Sequence, residues 1–333
     1  MERAVKGEMD LERDLNKLDE NGVHTLLRWS KSTAAVKAGV CGITNEFLDA
    51  ALEDARSPTT TSAPVKLEGL YESVYNARWG HVVEVPGGEG TGMEVREGKP
   101  EQPWTYRAVG NTLEKDDGVQ QPGAAPPRLM VLSSDKGWPY NLGGSLGDFQ
   151  DFFINSEVER VWQIVRKDLT EWFSTFILSA KTLPVPRVLI GTPGIGKSMA
   201  AGSYLLYQLL HCDVEKLQVV VHCLGCTAYV FDKTTQTVTK YEGEITSKNV
   251  IYGLWSHGMK GCIIYDVTEK ETPPEQRLLS SYAWGMILVS SPNVSNYDEW
   301  EKQLKALLTI MNCPDEMDVK AVCAWMKKRC GYR

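Results

Sequence analysis

Eight consecutive residues, Gly191-Thr192-Pro193-Gly194-Ile195-Gly196-Lys197-Ser198, satisfy the pattern G-x-x-x-x-G-K-[ST] at every fixed place. The chemistry such a pattern serves is the gripping of a polyphosphate. Backbone N–H groups must converge on the oxygens from several sides, which calls for glycines that tolerate positive φ and carry no Cβ. A helix beginning directly behind the loop adds its positive end. Lys197 supplies a mobile ammonium for the β- and γ-phosphates, and Ser198 a hydroxyl for Mg²⁺. Arg187-Val188-Leu189-Ile190 in front reads as a buried strand, and Ala200, Tyr204, Leu205 and Leu209 behind share a helical face. A glycine-rich turn with an incidental lysine is the bland alternative. The strand-loop-helix context argues against it.

A loop of this kind needs an acid at the end of a neighbouring strand to hold the Mg²⁺ shell. Cys262-Ile263-Ile264-Tyr265-Asp266 provides one, so Asp266 joins Ser198 as the expected metal-side pair. The hydrolytic base is less defined. Val267 stands where a Glu follows the acid in many ATPases, leaving Glu269 as the candidate base, with Glu271 close behind. Both are equally readable as solvated loop charges. Ser290, Ser291 and Asn293 follow the apolar run 286–289 and either sense a γ-phosphate or turn the chain at Pro292. Guanine specificity would call for [NT]-K-x-D downstream. Asn16-Lys17-Leu18-Asp19 lies far upstream in a charged helix, and Thr239-Lys240-Tyr241-Glu242 ends in the wrong acid. ATP is the expected nucleotide by elimination.

The elements that must position these groups follow from periodicity. From Ser156, a capping-box pattern with Glu159 precedes the stripe Val158, Val161, Val165, Leu169, Trp172 and Phe176, one long amphipathic helix. Apolar runs at 188–190, 218–221, 262–265 and 286–290 then alternate with helical patterns at 197–210, 247–257, 297–311 and 315–328. That alternation predicts an α/β fold, a P-loop NTPase-like and mostly parallel sheet flanked by helices, over residues 156–333. Thr227–Tyr241 reads as a hairpin inserted after the second strand. Upstream, residues 1–56 form a charged helical segment, with helices at 9–20 and 45–56. Residues 57–64 (Ser-Pro-Thr-Thr-Thr-Ser-Ala-Pro) read as a linker, and 65–150 as a small α+β or irregular module with strands at 79–85 and 128–133.

Composition bounds the rest. A chain of 333 residues that is 42% hydrophobic, with 10 Trp and 13 Tyr, can build a core, which excludes wholesale disorder. A net charge of −7 argues against nucleic-acid binding through overall charge, though it leaves a local basic patch open. No apolar stretch approaches a membrane span or a secretory signal, and the eight cysteines read as reduced intracellular thiols. Cys223-Leu224-Gly225-Cys226 lacks a second pair at zinc-ligand spacing and is expected to be two small core residues. Trp29, Trp79, Trp104 and Trp138 are expected in core or surface-anchoring roles before base stacking. Lys327-Lys328-Arg329 is too brief for a nuclear signal.

The run Arg187–Met199 resembles the trypanosomal retrotransposon hot spot family, as do the segments 157–172, 231–241, 261–267 and 284–293 and the ending Met311-Asn312-Cys313-Pro314-Asp315…Cys323-Ala324-Trp325-Met326-Lys327. Upstream, 73–112 and 129–140 carry the same likeness. The resemblance implies a multigene family with a nucleotide-binding motif at Gly191–Ser198 and a nuclear or perinuclear location, with cytoplasm as the alternative. It further implies work in chromatin, transcription or RNA export beside nuclear protein or RNA-processing partners. Family members are commonly longer, and 141–155 departs from the tryptophan- and charge-rich sequence expected there, so a truncated or diverged copy is a further expectation. Two functions compete: a P-loop ATPase that binds Mg·ATP and turns it over slowly, or a non-catalytic nuclear interaction protein whose nucleotide site is regulatory or vestigial.

Overall fold

A computed structural model describes residues 9–40, 44–45, 48–49, 52, 63–84, 92–110, 112–116, 127–142, 150–175, 184–267 and 284–330. The chain divides into two compact units, Met1–Thr61 and Ser62–Arg333.

In the first unit, helices α1 (Met9–Glu20), α2 (Leu26–Ser30) and α3 (Ala34–Ala38) surround a small core of Leu18, Val23, Trp29, Val40 and Leu48. Thr25 and Thr33 cap α2 and α3 by accepting the N–H groups of Arg28 and Val36. The indole of the fully buried Trp29 donates to Asp49 at 2.8 Å. Most of the expected 45–56 helix and the stretch 57–62 lie outside the described residues.

In the second unit the described residues form three sheets. β1 (Val65–Lys66) is followed by helix α4 (Leu70–Tyr75), then β2 (Arg78–Glu84), β3 (Glu94–Glu97), β4 (Tyr106–Val109), β5 (Thr112–Lys115), β6 (Pro127–Ser133) and β7 (Asp151–Ile154). Strands β3-β2-β6-β7 make an antiparallel sheet, and β4-β5 a separate ribbon. The expected strands at 79–85 and 128–133 correspond to β2 and β6. Helix α5 (Ser156–Thr175) follows, with Val158, Val161, Val165, Leu169 and Trp172 of the apolar stripe buried; Phe176 lies outside the described residues.

The large sheet holds the loop. Its strands are β8 (Arg187–Ile190), β9 (Val219–Leu224), β10 (Thr227–Asp232), β11 (Thr237–Glu242), β12 (Gly261–Asp266), β13 (Gly285–Ser290) and β14 (Leu307–Ile310), joined by β1 in the order β1-β11-β10-β9-β12-β13-β8-β14. Pairings within β9-β12-β13-β8-β14 are parallel, while β9-β10, β10-β11 and β11-β1 are antiparallel. The sheet is therefore mixed, a correction to the mostly parallel expectation. The expected hairpin after the second strand is β10-β11. It folds back on β9 and prolongs the same sheet.

Side-chain alternation buries both faces of this sheet. Leu189, Val220, Ile264, Ile287 and Val289 point into a core shared with α5, α6 (Ser203–Leu210) and the antiparallel sheet. Val188, Val219, Val221, Ile263, Met286 and Leu288 face the opposite core, covered by α7 (Glu244–Ser256) and α8 (Asp298–Leu304). Helix α9 (Glu316–Arg329) lays Ala321 and Trp325 on Val83, Leu129 and Val131 of the antiparallel sheet. No helix among the described residues is long and apolar enough to cross a membrane.

The pattern at 297–311 predicts a single helix, and the structure breaks it. α8 stops at Leu304, Lys305 takes a left-handed φ of 52°, and Leu307–Ile310 pairs with β8 as an edge strand. Two leucines, a threonine and an isoleucine fit a helical face and a strand equally, and the vacant edge of β8 decides between them. Lys305→Gly tests the break. At a left-handed helix end Gly relieves steric cost and raises stability by about 1 kcal/mol, whereas inside a continuous helix it would lower it by about as much. Urea denaturation of the two forms distinguishes the cases.

Candidate phosphate-binding site

β8 ends at Ile190 and the loop departs from the carboxyl edge of the sheet, where open α/β sheets place their ligand sites. Gly191 has no room for a side chain: a Cβ would stand 2.7 Å from both the Ile195 Cδ1 and the Met311 carbonyl oxygen. Gly194 and Gly196 adopt φ of 83° and 89°, which only glycine takes freely. Along Gly194–Ser198 no backbone N–H donates to an acceptor among the described residues. A row of vacant donors at the start of a helix is suited to an anion.

Behind the loop, residues 197–210 are helical as expected, but not uniformly. Lys197–Gly202 is a π-turn, with the Ala200 and Ala201 N–H groups both donating to the Gly196 carbonyl at 2.8 and 3.0 Å, and α6 begins only at Ser203. Beneath Gly202 lies the ring of His222 on β9. Its Nε2 is 3.5 Å from where a Gly202 Cβ would be, and neither ring nitrogen has a partner among the described residues. Burial drives its pKa down to about 4, so the ring is neutral at pH 7.

Lys197 is folded onto its own loop. Its Nζ donates to the carbonyls of Gly191 at 2.7 Å and Thr192 at 2.8 Å, and the side chain is buried. Burial lowers its pKa, while the charge of Asp266 pulls the other way. Strand register sets Asp266 at the end of β12 beside Val289 of β13, and Ser290 at the end of β13 beside Ile190 of β8. The Asp266 Oδ2 and the Ser290 Oγ are buried without a hydrogen-bond partner among the described residues. Burial raises the Asp266 pKa to about 6, against the opposing pull of the nearby Ser198 hydroxyl and the Lys197 charge.

A buried, unsatisfied carboxylate oxygen close to a hydroxyl and an ammonium fits a divalent cation carrying phosphate. Ser198 and Asp266 are the residues that would hold it. Glu269 and Glu271 lie outside the described residues. The hydroxyl of Ser291 accepts from Asn296 Nδ2, and Asn293 caps the short turn Val294–Asn296, so both serve the local chain reversal. Cys223 is buried with its thiol pushed up to about 12, Cys226 is exposed, and no metal-binding group of His, Cys, Asp or Glu occurs among the described residues. Trp29, Trp104 and Trp138 are core residues, and Trp79 is half-buried beneath Lys99.

One flank of the loop was not visible in sequence. After β14 the Met311 N–H donates to the Ile190 carbonyl at 2.8 Å, Cys313 Sγ lies 3.5 Å from Thr192 Oγ1, and Asn312 is held by the Glu157 carboxylate at 3.0 and 3.1 Å. Glu157 in turn grips the buried Arg160, which also donates to the Ile310 carbonyl at 2.5 Å. The polar run Asn312-Cys313-Pro314-Asp315 was the only available signal, and it reads as any turn.

The raised pKa of Asp266 has a sign that can be measured. The folded chain holds this proton more tightly than the unfolded chain, so stability falls as pH rises from about 4 to about 6. Asp266→Asn removes the buried charge. We expect it to raise the unfolding free energy of the ligand-free protein at pH 7 by on the order of 1–3 kcal/mol and to flatten this part of the pH profile, read by chemical denaturation at pH 4 and pH 7.

Comparison with known families finds two matches. The family model described as retrotransposon hot spot protein, P-loop domain, matches residues 188–332, and that described as retrotransposon hot spot proteins N-terminal matches residues 71–183. No curated protein matches the chain.

Proposed function

The chain belongs to the retrotransposon hot spot protein family, and from that premise we propose that it binds Mg·ATP at Gly191–Ser198 and hydrolyses it slowly. The observation that carries this reading is the pairing of vacant loop N–H groups with an unsatisfied buried carboxylate at Asp266. In this scheme the N–H groups of Gly194–Ser198 take the phosphate oxygens, and Lys197 leaves the Gly191 and Thr192 carbonyls for the β- and γ-phosphates. Ser198 and Asp266 hold Mg²⁺, which neutralises charge on those phosphates when bound. Ser290, buried on the strand between β8 and β12, is the polar group best placed to register the γ-phosphate. Glu269 remains the candidate base for an attacking water.

A second reading has its own support. The position directly after Asp266 holds Val267 in place of an acid, and Val267 is buried and continues the strand by donating its N–H to the Val289 carbonyl at 2.9 Å. Nucleotide binding would then be regulatory, in a protein that works through partners. A nuclear or perinuclear site of action, in chromatin, transcription or RNA export, belongs to either version as a proposal drawn from the resemblance.

Thermal or chemical unfolding with Mg·ATP, beside a turnover assay, tests both. At 100 times its dissociation constant ATP should add about 2.7 kcal/mol to the wild type and far less to Lys197→Ala. Equal stabilisation of the two forms overturns the phosphate-loop reading. Stabilisation without turnover selects the regulatory version.

A further inference from the structure

Beside the phosphate loop lies a cavity of about 250 Å³ lined in part by Gly194, Gly196 and Met199. It therefore shares Gly194, Ile195 and Gly196 with the vacant N–H row. Leu129 of β6 and Phe153 of β7 wall one side. Val319 and Val322 of α9 wall the other. The slot thus lies among three parts of the second unit: the antiparallel sheet, the loop and the last helix. Sites for drug-sized ligands begin near ~300 Å³, so this slot suits a single heterocycle better than a whole nucleotide.

Two buried polar residues interrupt the apolar lining, Asn155 and Asp318. The Asn155 Oδ1 accepts the Val158 N–H at 3.0 Å, capping α5 and fixing the amide. Its Nδ2 makes no hydrogen bond among the described residues and remains a donor. Asp318 is held in the capping box of α9, where its Oδ2 accepts the Asp315 N–H at 3.3 Å. An apolar slot lined by one amide donor and one carboxylate acceptor matches a purine. Adenine presents a ring-nitrogen acceptor beside an amino donor, and guanine a carbonyl acceptor beside N–H donors.

We propose that this slot receives the purine base of the nucleotide whose phosphates occupy the loop, with Asn155 donating to the base and Asp318 accepting from it. The assignment rests on the phosphate-loop reading and extends it to the nucleoside. Because the walls come from both family-matched segments, 71–183 and 188–332, a bound base also ties α9 to the antiparallel sheet through its two faces.

Calorimetric titration of the full chain with Mg·ATP, Mg·GTP, Mg·UTP and magnesium tripolyphosphate tests it, using wild type, Asn155→Ser and Val319→Trp. Ser preserves a neutral helix cap but removes the amide donor, and Val319 is exposed enough to accept an indole that fills the slot. In the wild type at least one purine triphosphate should bind about tenfold or more tighter than tripolyphosphate and UTP, and the tighter of ATP and GTP identifies the base. Both variants should lose about tenfold for that purine while tripolyphosphate binding stays unchanged. Equal wild-type affinity for ATP, GTP and tripolyphosphate overturns the base slot and leaves the phosphate loop standing. Absence of binding by every ligand, tripolyphosphate included, overturns both. Loss in Val319→Trp alone retains the slot and removes Asn155 from the recognition, whereas unchanged affinities in both variants place the base elsewhere.

Discussion

Four residues of backbone, Arg187–Ile190, are hydrogen-bonded on both sides, to β13 and to β14, and the site hangs from that double pairing. Parallel register with β13 carries Ser290 to the end of β8, and the next pairing outward carries Asp266 to the same edge. Pairing with β14 draws the following turn over the loop, so that Met311 and Cys313 lie against Gly191 and Thr192. At the opposite end Arg187 donates to the Asp168 carboxylate and, at 3.2 Å, to Thr309. A guanidinium buried there needs those partners, because leaving it unpaired would cost several kcal/mol. One short strand thereby fixes both walls of the candidate phosphate site.

The loop in this structure satisfies its lysine internally. Two carbonyls take the ammonium that a triphosphate would otherwise claim, while the N–H row stays vacant and Asp266 sits partly desolvated at the strand end. On the proposed reading, ligand entry is an exchange of partners. The ammonium would give up two charge-assisted bonds and gain phosphate oxygens, and the N–H groups would gain acceptors they lack, an asymmetry in favour of the bound state. The widened turn at Lys197–Gly202 and the neutral His222 below it are part of the same buried layer, where proton uptake is opposed by burial alone.

The antiparallel sheet is joined to the loop-bearing region through a common core rather than appended to it. Met130, Leu132, Phe152 and Ile154 share one cluster with α5 and α6, while α9 covers the other face through Trp325. This arrangement explains why the 65–150 segment resisted reading. Buried runs and register shifts in β2 and β6 break the alternation, one face is completed by α6 and the other by α9, both distant in sequence, and glycine and proline interrupt the pattern between the strands.

Local structure was legible wherever a residue type answers a purely local demand. The glycines of the loop, Lys197, Ser198, the strand-ending Asp266, the hairpin at 227–241 and the stripe on α5 all follow from steric freedom, charge or periodicity that neighbouring residues alone impose. Tertiary structure decided what depends on partners far along the chain: that 307–310 is a strand, because β8 offered a vacant edge; that β10 and β11 extend the main sheet, because β9 exposes one; that Ser290 faces inward while Ser291 and Asn293 serve a turn. It also set the Asn155–Asp318 slot, whose two polar groups are separated by most of the folding unit and meet only when α9 closes over the antiparallel sheet. Periodicity tells which face of an element is apolar, but not which other element will cover it.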